Sequence, residues 1–93
     1  MMAAERYICP PPEADGPYRY FKIIDTIPVR VTCVGANFMG AESTDAENGG
    51  ALKIAHTKLN RIEKDELDVE EITKQEFIDM CRRDQIRYRD TAK

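Results

Sequence analysis

Three cysteines and one histidine are the side chains of this sequence best suited to chemistry: Cys9, Cys33, Cys81 and His56. Together they make a Cys₃His set, a donor composition that holds structural zinc. Their spacing opposes that use. Zinc is usually gripped by pairs about two to four residues apart, and no two of these four stand closer than 23 positions. A catalytic thiolate would need an electropositive, partly exposed niche and a nearby base. Cys81 precedes Arg82 and Arg83, and His56 is the one imidazole, so a small enzyme with a site around His56 and a cysteine is one reading. Periodicity argues against it. Cys33 falls on the apolar face of a strand pattern and Cys81 on the apolar face of a helix pattern, where a free cysteine packs as a small hydrophobe. We expect no catalytic residue, no metal ligand and no cofactor.

Two further groups carry charge rather than reactivity. Asn48, Gly49, Gly50 and Lys53 would form an anion-binding corner if the glycines opened a helix, because the first backbone N–H groups would then face outward. Neither phosphate-loop nor dinucleotide fingerprint accompanies them. Arg82, Arg83, Arg87, Tyr88 and Arg89 interleave cations with an aromatic ring, a composition that suits nucleic acid or an acidic partner. Asp79, Asp84 and Asp90 are interspersed and cancel much of that field.

The elements that must position these residues follow from patterning. Residues 1–17 read as an extended, Pro-rich N-terminal arm, since Pro10, Pro11 and Pro12 remove three donors and fix extended backbone. Tyr7 and Ile8 fit a short edge strand. Residues 18–93 read as one domain, a length that suits a single core. Tyr18 to Ile27 is dense in β-formers, and Val29 to Val34 alternates, with Pro28 at the junction of the two strands. Gly35 to Gly50 reads as a long loop. Ala51 to Ile62 presents a helical apolar arc from Ala51, Leu52, Ala55, Leu59 and Ile62, with Asn48 as cap. A strand through Leu52 and Ile54 after an Asn48-Gly49 hairpin turn is the competing pattern. Residues 67–72 suit a short edge strand. Thr73 and Glu76 then form a capping box for a helix reaching about Asp84, with Phe77, Ile78, Met80 and Cys81 facing inward. Ile86 and Tyr88 read as a brief extended segment.

The expected fold is therefore α+β: a small antiparallel sheet packed against two helices. Phe21, Ile23, Val31, Leu52, Leu59, Phe77 and Ile78 would share one core. The formal charge is −3, with 17 acids against 14 bases, which weighs against a dedicated nucleic-acid binder. No signal-peptide pattern opens the chain and no run is long enough to span a bilayer, so reduced thiols in a cytoplasmic protein are expected, without membrane contact. The acidic run 63–71 could dock on a basic surface. By elimination, the sequence points to a small non-enzymatic accessory or regulatory protein acting through another protein or a second copy of itself. Nucleic-acid binding through the C-terminal arginines is the alternative.

Overall fold

The computed structural model describes residues 9–89. Five strands form one antiparallel sheet: β1 (Tyr18–Ile23), β2 (Ile27–Val34), β3 (Asn37–Asp45), β4 (Ala51–Ile54) and β5 (Val69–Ile72). Their spatial order is β4-β3-β2-β1-β5. Two helices, α1 (His56–Glu63) and α2 (Lys74–Tyr88), complete the α+β fold. The expected edge strand at Tyr7 and Ile8 lies outside the described residues.

The sheet is apolar on both faces, and each face has its own cluster. Along β1 and β2, Phe21, Ile23, Val29 and Val31 point to one side, where Ala41, Leu59 and Ile62 join them under α1. Tyr20 points to the other side and packs with Phe77 and Cys81 of α2, flanked by Tyr18, Leu52 and Ile72. The Tyr20 and Phe77 rings stand 5.0 Å apart, centre to centre. The single core expected from the sequence is thus two, divided by the sheet, because alternate side chains of a strand leave in opposite directions. Ile78 is only half-buried, whereas Asp84 is buried.

Several boundaries differ from the sequence reading. Residues 37–45, taken as loop, form β3, the longest strand. Its asparagine, glycine, glutamate and aspartate content lowers its propensity, but two neighbouring strands supply ladder bonds on both sides. Residues 51–54 form β4, so the helix expected from Ala51 starts only at His56, and its N-cap position is Ala55, with no side-chain bond. Asn48 therefore caps no α-helix. Pro28 lies within β2 rather than between strands, and the β2–β3 register begins one residue later, at Val29 opposite Ser43. Its missing N–H thus falls beyond that ladder, and its carbonyl accepts from the Ser43 hydroxyl at 2.7 Å.

The Thr73 cap is present: its hydroxyl accepts from the Glu76 N–H at 3.1 Å. The reciprocal half is diverted, because the Glu76 carboxylate accepts from Lys22 at 3.3 Å instead. Helix α2 then runs on through Tyr88, and Ile86 and Tyr88 are helical rather than extended. Two contacts seat it. The Thr44 hydroxyl donates to the buried Asp84 carboxylate at 2.7 Å. Gly50, at φ +86°, lies against the helix backbone, where a Cβ would stand 2.7 Å from the Gln85 Cα and N.

Gly50→Ala should therefore destabilise by about 1–3 kcal/mol, from a left-handed backbone and a collision with main chain that cannot rotate away. Urea unfolding followed by circular dichroism would measure it; an unchanged midpoint would rule out this seating of α2.

Candidate functional site: an open strand edge beside a cationic groove

The face covered by α2 carries the most unusual group in the protein. Arg30 is fully buried (0% exposed), and its acidic neighbour Glu42 is buried to within 5%. They pair because β2 and β3 place them directly opposite each other. Arg30 Nε and Nη2 both donate to Glu42 Oε1, at 2.8 and 2.5 Å. The rest of the guanidinium holds the arm: Nη1 donates to the Pro11 carbonyl at 2.8 Å and Nη2 to the Pro10 carbonyl at 2.9 Å. The Tyr18 ring lies 4.5 Å from the guanidinium carbon. Proline carbonyls suit this use, since they accept without bringing an N–H to be satisfied. Cys9 continues the cluster. Burial, then a hydrogen bond to Glu42, pushes its thiol up from 9.0 to about 11.

The clamped arm forms one wall of a groove of about 690 Å³, lined by Cys9 to Pro12, Asn48, β4 and Gln85 of α2. A second hollow of about 430 Å³ adjoins it, sharing Asn48, Ala51 and Gln85 and adding Gly49, Ile86 and Arg89. Strand β4 ends the sheet, so one of its sides is uncovered among the described residues. The register fixes which groups face outward. Ala55 N–H donates to the Ala41 carbonyl at 2.8 Å, and Ser43 lies opposite Lys53 and Asp45 opposite Ala51. In an antiparallel ladder the residues facing the partner alternate with those facing away. Leu52 and Ile54 therefore turn their backbone N–H and C=O groups to the open edge.

The residues singled out from the sequence divide among several places. Asn48, Gly49, Gly50 and Lys53 stand together in the β3–β4 connection, but the expected helix start does not exist there. The Gly49 N–H donates to the Ala46 carbonyl and the Gly50 N–H to that of Asp45, so these amides are engaged. Asn48 Nδ2 donates to Asp45 Oδ2 at 2.7 Å, and Lys53 Nζ stands 3.8 Å from the same oxygen. The C-terminal arginines have different partners. Arg82 pairs with Glu13. Arg83 donates to the Thr26 carbonyl at 2.8 Å and to Asp84. Arg87 lies 6.0 Å from the Tyr88 ring, and Arg89 lines the groove. Within the acidic run, Glu71 pairs with Arg19 at 2.7 Å, Glu70 stands 3.9 Å from Lys22, and Glu66 and Asp68 both meet Arg61. Much of its charge is answered inside the chain.

Cys33, Cys81 and His56 lie apart in role. His56 is exposed at the start of α1, Cys33 is half-buried, and Cys81 is fully buried. No group of three His, Cys, Asp or Glu able to hold a metal ion occurs among the described residues. Burial first, then the Asp84 charge, pushes the Cys81 thiol up from 9.0 to about 12, the reverse of what a nucleophile needs. Arg30 and Glu42, which shape the groove, escaped the sequence reading. The alternation of Val29, Arg30 and Val31 places Arg30 on the polar side of β2, and only a cover over that side makes it interior.

No family model, no curated protein and no solved structure matches this chain.

Two outcomes follow from this geometry. Arg30→Met should cost about 3–5 kcal/mol, because it leaves the Glu42 carboxylate buried without its cation, and Arg30→Met/Glu42→Gln should recover part of the loss. The arm should loosen in both, seen as faster hydrogen exchange at the Ala14 N–H, which donates to Pro11 at 3.0 Å; equal protection in all three proteins would reject the clamp. The Cys81 thiol has a raised pKa in the folded state, so it favours folding fully below 9.0 and loses that contribution as pH climbs toward about 12. Wild type should therefore lose more stability than Cys81→Ala across that alkaline window; parallel curves would show that the thiol ionises as readily folded as unfolded.

Proposed function

We propose that the protein is a non-enzymatic accessory module that works by binding another protein, and that it takes an extended segment of that partner at the open edge of β4. The observation that carries this reading is the coincidence of the outward Leu52 and Ile54 backbone groups with the groove of about 690 Å³. Strand addition needs unpaired main-chain donors and acceptors for affinity, and a neighbouring hollow for alternate side chains. Among the described residues, both occur here at one place. Leu52 and Ile54, with Pro10 to Pro12, offer apolar lining, and Ile54 is 44% exposed.

The other readings draw less support. A nucleic-acid surface would need its arginines available on one face, and Arg82 and Arg83 are engaged with carboxylates of their own chain. A thiol enzyme would need a lowered pKa, and Cys9 and Cys81 are raised. A homodimer through paired β4 strands would bring two Lys53 residues close together, where like charges oppose pairing.

Ile54→Pro tests the edge directly. It deletes an outward N–H while leaving the inward bonds of Lys53 and Ala55, so the domain should keep its fold and lose peptide binding by about tenfold or more. Peptides selected from a random displayed library, then measured by fluorescence polarisation, would supply the ligands. Selected peptides that bind Ile54→Pro as tightly as wild type would refute capture at this edge.

A further inference from the structure

Resting on the edge reading above, we infer that the groove's occupant is an extended acidic peptide with apolar side chains at alternate positions. The charge of the lining points there. Among the described residues that line the two hollows, only Lys53 and Arg89 are charged, and both are cations. This occurs in a chain where acids outnumber bases, 17 to 14. A basic or neutral segment would find no such complement.

The two cations flank the edge from different sides: alternation turns the Lys53 side chain to the face opposite Leu52, and Arg89 stands at the α2 end. Lys53 belongs to β4 itself and is 64% exposed at its side chain, so its contact with Asp45 at 3.8 Å is weak and exchangeable. Arg89 follows the last turn of α2 and shares its hollow with Asn48 and Ala51. A peptide running antiparallel to β4 would place its C-terminal end beside Ala51, and therefore beside Arg89. Antiparallel pairing is the slightly stronger arrangement. An acidic group at the C-terminal end would meet the guanidinium, the alternate acids would lie on the Lys53 side, and Pro10, Pro11 and Leu52 would receive the apolar side chains between them.

The apolar wall sets the second half of the specificity. Pro10 to Pro12 are held rigidly by their own rings and by Arg30, so the wall is formed before any ligand arrives. A preformed wall favours side chains of fixed shape, such as Val or Ile, which also suit an added strand.

Three synthetic peptides of equal length, alternating Val with Glu, with Ser or with Lys, decide the matter by fluorescence polarisation against the full chain. The Val/Glu peptide should bind about tenfold tighter than Val/Ser at low salt, and the gap should shrink in about 0.5 M salt. In Lys53→Glu/Arg89→Glu the order should invert, with Val/Lys now favoured; both positions are exposed, and the folded state can be verified by circular dichroism. Equal binding of all three peptides, lost in Ile54→Pro, would overturn the charge preference and leave the edge reading standing. Failure of every peptide to bind would overturn both. Tight Val/Glu binding unaffected by the double charge reversal would place the acid-recognising cations elsewhere and refute the assignment.

Discussion

The buried guanidinium of Arg30 organises the molecule. An arginine taken wholly out of water is tolerable only if its donors are met, and here a carboxylate from the adjacent strand and two carbonyls from the arm meet them. Each partner constrains a different part of the fold. Glu42 must lie opposite Arg30, which fixes the β2–β3 register; Pro10 and Pro11 must lie across the sheet, which turns a stiff leader into a wall. Tyr18 closes the remaining side of the planar group. Replacing this cluster with hydrophobic residues could be neutral for stability, but it would remove the direction that the arm needs.

Stability otherwise comes from two small apolar clusters, one on each side of the sheet. Neither helix is strong in isolation. Helix α1 has eight residues and no side-chain cap, and α2 has only half of its capping box. They persist because each buries a stripe on a sheet already apolar on that side. The hairpin between β1 and β2 shows the same dependence. Ile24, a β-branched residue at φ 56°, is held in the left-handed region while its N–H donates to the Asp68 carbonyl at 2.9 Å. That bond ties the turn to the chain entering β5.

The same packing explains why the groove lies where it does. Helix α2 crosses the sheet close enough to touch the Gly50 backbone, yet β4 apart from Leu52 stays exposed. The arm fills the far side without closing the space between. Among the described residues, an apolar hollow and an uncovered strand edge are what this incomplete coverage leaves.

Local chemistry was legible in the sequence wherever neighbours in the chain decide it. Alternation in Val29 to Val34, the Thr73 cap with its apolar stripe, and the inward direction of Cys81 depend on residues within a turn or a pleat of one another. The α+β class followed from these. What the sequence left open depended on partners far along the chain. Residues 37–45 look like loop until β2 and β4 pair with them, and Ala51 to Ile62 carries a helical arc that the ladder to β3 overrides at its first four residues. Arg30 reads as a solvent-facing cation because alternation tells only which side it takes, whereas the arm 19 and 20 positions earlier decides that this side is interior. Burial of a strand's second face is a property of what covers it, and only the tertiary structure contains that cover.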